Sequence, residues 1–129
     1  MNKGISGSFT VEAAFVMTIV LWALLFSIQA AYGVRDETVG AMALQEAVQR
    51  LRHNESELPE QAVAWAEKRA GKPFSWERYE FQLSTSGNLI TGKKVDAAAA
   101  GGRFKLSLEQ KVFDPENFLR MMTLTNQEE

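Results

Sequence analysis

The chain has 129 residues, a formal net charge of −2 and no cysteine. A chain without cysteine has neither disulfides nor thiolate metal sites, and its nearly balanced charge gives no indication of nucleic-acid binding. The length leaves room for one small domain in addition to a membrane-spanning helix.

The first predicted element is an apolar helix near the N-terminus. No charged side chain occurs between Ala13 and Val34, and this run of about 22 residues is long enough for a membrane-spanning helix. At 1.5 Å per residue it would be about 33 Å long, close to the thickness of the hydrocarbon core of a bilayer. Glu12 stands at the start of the run, where a carboxylate is uncommon unless it has a function or a partner.

The residues around Glu12 carry a family resemblance. The segment Gly7-Ser-Phe-Thr-Val-Glu12, followed by an apolar helix, resembles the leader of type IV pilin-like proteins and is similar to TadE-like pseudopilins of the tight-adherence pilus. The resemblance implies a class III signal peptide that a prepilin peptidase cuts after Gly7, so that Ser8 becomes the first residue. It also implies a leader at 1–7, a transmembrane and assembly helix at 8–34, and Glu12 as an assembly contact with other pilin-like subunits.

This resemblance covers roughly residues 3–30, and the chain departs from many pilins in several features, among them a leader with a single lysine, Lys3. Ser8 stands where many of them have phenylalanine, and Gln29 stands where a kinking proline is often found. The chain also lacks cysteine for a disulfide loop in the head. These departures argue against a type IVa major pilin. Major pilins of the tight-adherence type are much shorter than this chain, so the resemblance implies a minor subunit.

The charges that flank the apolar run predict its orientation. The N-terminal amine and Lys3 precede it, and the segment Arg35-Asp36-Glu37, with a net negative charge, follows it. The positive-inside bias therefore predicts a single-pass protein in the cell membrane, with a cytoplasmic N-terminus and an extracytoplasmic head at 35–129. An uncleaved signal anchor is the alternative. A secretory signal peptide fits less well, because the run is longer than an h-region.

The helical pattern continues beyond the apolar run. Apolar residues recur at helical spacing on one side, and they are Ala41, Leu44, Val48 and Leu51. We therefore predict one rod from about Thr10 to about His53, whose second half packs on the head. Asn54 is predicted to end it in a left-handed turn.

The head is predicted to contain a second helix and a small antiparallel sheet, which makes the fold class α+β. Pro59 suits the first turn of a helix and Gly71 its end. One side of this helix is predicted to be lined by Val63, Ala66 and Ala70, with Ala62 and Trp65 adjoining it. Alternating apolar residues predict strands at 79–83 and 104–108. We expect a short returning strand at 89–91, a turn at 86–88, and a flexible loop or frayed strand at 95–102.

The C-terminal part begins with an N-cap. Asp114-Pro115 predicts a short helix through about Met122, followed by a polar and loose tail at 123–129.

Motifs of catalysis, cofactor binding and metal binding are missing from the sequence. The only histidine, His53, is interpreted as a cation at a helix end, and no metal-ligand spacing or phosphate-binding glycine loop occurs. We predict no enzyme activity, no cofactor and no small-molecule substrate. The bulky residues Phe74, Trp65 and Trp76 are expected in the core of the head. A basic group of Lys93, Lys94, Arg103 and Lys105 is interpreted as a solvated hairpin edge, with a headgroup or DNA patch as the alternative.

Two functional hypotheses follow from these observations. The first is a TadE-like minor subunit of a pilus or related secretion assembly, processed by a prepilin peptidase. The second is a signal-anchored, single-pass protein whose extracytoplasmic head binds a partner and does not polymerise. Cleavage after Gly7 distinguishes them.

Overall fold

The computed structural model describes residues 3–54, 56–75, 78–87, 92–112 and 114–125 of the chain. Its order of elements confirms the α+β prediction of a long N-terminal helix, a second helix and a three-stranded antiparallel sheet. The elements are α1 (Lys3–His53), α2 (Pro59–Ala70), β1 (Glu80–Ser86), β2 (Lys94–Gly101), β3 (Phe104–Lys111) and α3 (Pro115–Thr125).

The N-terminal rod is one uninterrupted helix of 51 residues, which corresponds to about 76 Å at 1.5 Å per residue. It begins at Lys3, several residues before the predicted start. It contains no proline, and the glycines inside it do not break it. Its last turn carries the basic residues Arg50, Arg52 and His53, and positive side chains are favoured at the negative end of the helix dipole.

The predicted left-handed turn at Asn54 is wrong. No described residue other than glycine has a positive φ. The helix ends instead with the Asn54 amide donating to the Arg50 carbonyl oxygen at 2.9 Å, and the next turn closes with the Glu57 amide donating to Asn54 at 3.2 Å.

The second helix starts and stops at the predicted residues. Pro59 occupies its first turn, and the Leu58 amide donates to the Gln61 side chain at 3.4 Å. Gly71 follows with a φ of 66°, a left-handed conformation that costs glycine little, and its amide bonds to Glu67. The buried face is Ala62, Ala66 and Ala70.

The sheet has the order β1-β2-β3, with both pairs antiparallel. Its central strand occupies the segment that was expected to be a flexible loop or a frayed strand. The loop alternative is wrong, and the strand is not frayed, because it pairs with β1 on one side and β3 on the other. Along β2, buried residues alternate with half-buried ones, and the buried residues are Val95, Ala97, Ala99 and Gly101. The alternation is hidden in the sequence because alanine occurs on both faces of this strand.

The core lies between one face of the sheet and the two helices α1 and α2. Leu44 and Val48 of α1 are fully buried there, together with Val95 of the central strand. Alanine side chains fill most of the remaining helix and β2 positions, and they are Ala43, Ala47, Ala62, Ala66, Ala70, Ala97 and Ala99. Their small size lets the helices approach the sheet closely. The predicted stripe is confirmed for Leu44, Val48 and Leu51, which are buried.

At the end of this core nearest the apolar half of α1, two aromatic rings pack against Gly40. A Cβ placed on this glycine would lie 3.3 Å from Cε1 of Tyr79 and 3.4 Å from Cε1 of Phe104. Gly40 is therefore a site of close packing between α1 and the sheet. The Tyr79 hydroxyl donates to the main-chain oxygen of Asp36 at 3.0 Å.

The last helix begins as the sequence predicts. The Glu116 amide donates to Oδ1 of Asp114 at 3.0 Å, and the helix runs to Thr125, so that part of the predicted loose tail is helical. Residues 126–129, the predicted strand at 89–91, Asn88 of the predicted turn and the predicted core residue Trp76 lie outside the described residues.

Candidate assembly site

The N-terminal half of α1 projects from the head with its apolar side chains uncovered. Every residue from Gly7 to Tyr32 is exposed, including Trp22 at 73% and Phe15 at 69%. Within the described part of the chain, α1 is the helix long and apolar enough to cross a membrane, by length and composition. A signal sequence shares that composition. None of this apolar segment is buried within the chain.

Two hydroxyl groups inside this apolar segment bond to the backbone of the helix itself. The hydroxyl of Thr18 donates to the carbonyl oxygen of Ala14, and that of Ser27 donates to Ala23, each at 2.8 Å. Side chains that bond to the preceding turn do not need water. The segment is therefore compatible with lipid or with the apolar helices of neighbouring subunits.

The three residues singled out by the sequence lie in the first turns of α1. Gly7 is inside the helix, and a Cβ placed on it would meet nothing within 4 Å, so its backbone is open to approach. Ser8 and Glu12 are both exposed and four positions apart. They therefore lie on the same face, about 6 Å apart along the axis. Their roles in processing and assembly stay predictions.

At the other end of the apolar segment, a buried carboxylate joins α1 to the chain that follows α2. Asp36 is fully buried. Its carboxylate accepts the Ser75 amide at 2.8 Å, the Ser75 hydroxyl at 2.7 Å and the Phe74 amide at 3.0 Å. Arg35 forms an ion pair with it at 3.1 Å. This cluster fixes the segment 71–75 against the helix.

The hydrogen bonds around Asp36 also favour its charged form. Burial opposes ionisation, but the bonds from Ser75 and Phe74, together with Arg35, outweigh it and hold the pKa of the carboxyl below its ordinary value. Burial raises the pKa of the neighbouring Tyr79 hydroxyl, and the charge of Asp36 adds to that effect. Sequence reasoning missed Asp36 and considered only its charge. Its position one helical turn before Gly40 on the core-facing side of α1 was the available signal.

Phe74 and Trp65, which were expected in the core, instead lie on the surface beneath arginine side chains. Phe74 is 65% exposed, and the Arg35 guanidinium lies 3.9 Å from its ring centroid. Trp65 is 37% exposed, and the Arg50 guanidinium lies 4.2 Å from its ring. Beside Trp65 a groove of about 550 Å³ runs along α1, lined by Met42, Gln45, Glu46, Gln49, Arg50 and Trp65.

The basic residues of the hairpin do not form one patch. Lys94 begins β2, whereas Lys105 pairs with Ala100 near the other end of that strand, about 20 Å away at 3.3 Å per residue. Lys94 forms an ion pair with Glu109 at 2.7 Å, and this contact raises the pKa of Lys94 and lowers that of Glu109. Both partners are exposed, so the pair contributes little to stability.

Neither a metal centre nor a matching protein indicates another activity. Among the described residues, no group of three or more histidine, aspartate and glutamate side chains is placed to hold a metal ion. No protein-family model, no curated protein and no solved structure matches this chain. What the site can do therefore follows from its own geometry, which is an uncovered apolar helix with a carboxylate at one end and a head at the other.

Proposed function

We propose that this chain is a TadE-like, pilin-like minor subunit of an envelope-spanning pilus or secretion assembly. The observation that carries the proposal is the uncovered apolar segment of α1, which starts next to Glu12 and continues without a break into the core of the head. Such a surface requires lipid before assembly and can pack against the apolar helices of other subunits afterwards. The N-terminus lies on the cytoplasmic side and the head outside.

Processing after Gly7 requires that the first turns of α1 open. A peptidase needs access to the backbone, and Gly7 adds no side chain that would obstruct it. Glycine also weakens a helix by about 1 kcal/mol relative to alanine. Gly4 and Gly7 both lie in these turns, so their cost lowers the barrier to local opening near the helix end.

Gly7→Val is expected to abolish removal of residues 1–7 while leaving membrane insertion intact. The branched side chain obstructs the site and changes no part of the apolar segment. The mass of the purified protein from cells with an active prepilin peptidase measures the outcome. Gly4→Val is the matched control and should be processed normally. Normal cleavage of Gly7→Val would remove this site, and an intact N-terminus in the wild-type protein would favour the signal-anchored alternative.

Glu12 has a partner available only after processing. Cleavage after Gly7 would create a cation, the α-amine of Ser8, about one helical turn from the carboxylate. An ionised carboxylate inside a bilayer costs at least about 2.5 kcal/mol on insertion scales. Pairing with that amine, within one subunit or between neighbours, offsets this cost, and it is strong where water is excluded.

Glu12→Gln is therefore expected to leave cleavage and membrane insertion intact and to reduce incorporation into the assembly. Glu12→Asp should be partly defective, because its side chain is shorter. Co-purification with the assembled fraction measures both variants, and Glu37→Gln, an exposed acidic residue beyond the apolar segment, is the control. Normal incorporation of Glu12→Gln would show that Glu12 only marks the edge of the lipid.

A further inference from the structure

Residues 71–75, which follow α2, lie at the level where the apolar part of α1 ends. The ring of Phe74 is 5.5 Å from the ring of Tyr32, centroid to centroid. Tyr32 lies two residues before Val34, the last residue of the uncharged run. Residues 71–75, here called the junction loop, thus reach back from the head to the final turn of the proposed membrane span.

The junction loop is held at this level by Asp36. The buried carboxylate accepts two backbone amides and one hydroxyl from Phe74 and Ser75, and charge-assisted bonds of this kind are among the stronger ones in proteins. The position of the Phe74 ring is therefore fixed relative to α1.

The side chains that the loop presents have the composition of a membrane–water interface. Phe74 is 65% exposed, and its ring contacts both the aromatic ring of Tyr32 and the guanidinium of Arg35, whose side chain is 44% exposed. Lys72 is exposed in the same loop. Aromatic residues concentrate at the headgroup level of bilayers, and arginine and lysine bind phosphate there. The Asp36 carboxylate beside Arg35 is buried and already accepts hydrogen bonds from Phe74 and Ser75.

We propose that the junction loop is an interfacial anchor that binds the headgroup layer of an anionic phospholipid membrane. Phe74 and Tyr32 enter the boundary between headgroups and acyl chains, and Arg35 contacts lipid phosphates. This proposal rests on the proposed function, in which α1 is inserted into the membrane. It gives the head a second attachment to the membrane surface, which fixes the height and tilt of the head before assembly.

The absence of cysteine allows a direct test with the full chain. A single spin label is placed at Lys72→Cys, and matched labels are placed at Leu25→Cys in the apolar segment and Ser107→Cys on the exposed face of β3. Each protein is reconstituted into vesicles of equal parts phosphatidylcholine and phosphatidylglycerol. Accessibility to oxygen, which partitions into lipid, is compared with accessibility to a water-soluble nickel chelate.

The label at position 72 should give an oxygen-to-nickel ratio several-fold above that at position 107 and below that at position 25. Adding Phe74→Ser should lower the ratio at position 72 to the aqueous value, with an unchanged circular dichroism spectrum. Equal ratios at positions 72 and 107, with a lipid-exposed label at position 25, would overturn the anchor and leave the span intact. An aqueous label at position 25 would overturn the span, and the anchor with it. A label at position 72 that stays in lipid after Phe74→Ser would overturn the role of the ring.

Discussion

Asp36→Ala is expected to lower the free energy of unfolding of the head by about 3 kcal/mol, since it removes charge-assisted hydrogen bonds from a buried site. The amides of Phe74 and Ser75 lose their charged acceptor in the folded state, and a hydrogen bond to a charged group contributes more to stability than one between neutral groups. Urea titration of the full chain in non-ionic detergent, followed by near-UV circular dichroism, measures the change. Glu37→Ala, its exposed neighbour, is the control and should change stability by less than about 0.5 kcal/mol.

The difference in stability between wild type and Asp36→Ala is expected to depend on pH. The folded pKa of Asp36 lies below its ordinary value, so the ionised carboxylate stabilises the folded state. That contribution is complete above the unfolded pKa of about 3.9 and is lost as the pH falls through the lower folded pKa. The difference in stability between wild type and Asp36→Ala should therefore be constant at neutral pH and shrink in acid below about pH 4. A difference that grows in acid would contradict this account of the junction.

Leu44→Asp is expected to destabilise the head by about 4 kcal/mol or more, because it removes a buried side chain and introduces a charge with no partner. Leu44 is fully buried in the core cluster between α1 and the sheet. The same urea titration measures the loss. Gln45→Asp places the same charge on the next, exposed position of α1 and should change the midpoint little. An unchanged midpoint for Leu44→Asp would mean that this face of α1 does not pack on the head in solution.

Helices and edge strands could be predicted from the sequence because their signals are local. The stripe of Leu44, Val48 and Leu51 repeats at the helical period, and Pro59 and Gly71 mark the ends of α2. The strands β1 and β3 have an apolar residue at every second position over part of their length. These patterns can be read because apolar and polar side chains alternate clearly in these segments.

The central strand and the junction could not be predicted in the same way. In β2 the buried Ala97 and Ala99 alternate with the half-buried Ala98 and Ala100, so the two faces differ in burial without differing in residue type. The buried carboxylate of Asp36 accepts hydrogen bonds from the amides of Phe74 and Ser75, which are distant from it in the sequence. Phe74 was expected in the core because its ring is apolar. Its surface position follows from the packing of the junction loop on α1.

The continuity of α1 has a geometric consequence for the head. Each residue of an α-helix advances the chain by 1.5 Å and turns it by about 100°, and no break separates the apolar segment from the part that packs on the sheet. The number of residues between Glu12 and Leu44 therefore sets the direction in which the head faces around the helix axis, as well as its distance from the proposed cleavage site after Gly7. Inserting one alanine after Val34 would swing the head through about 100° around the axis of the rod while raising it by only about 1.5 Å. Subunits stacked through their apolar segments, as proposed here, would then present their sheets in a new direction, and the ring of Phe74 would lose its contact with Tyr32.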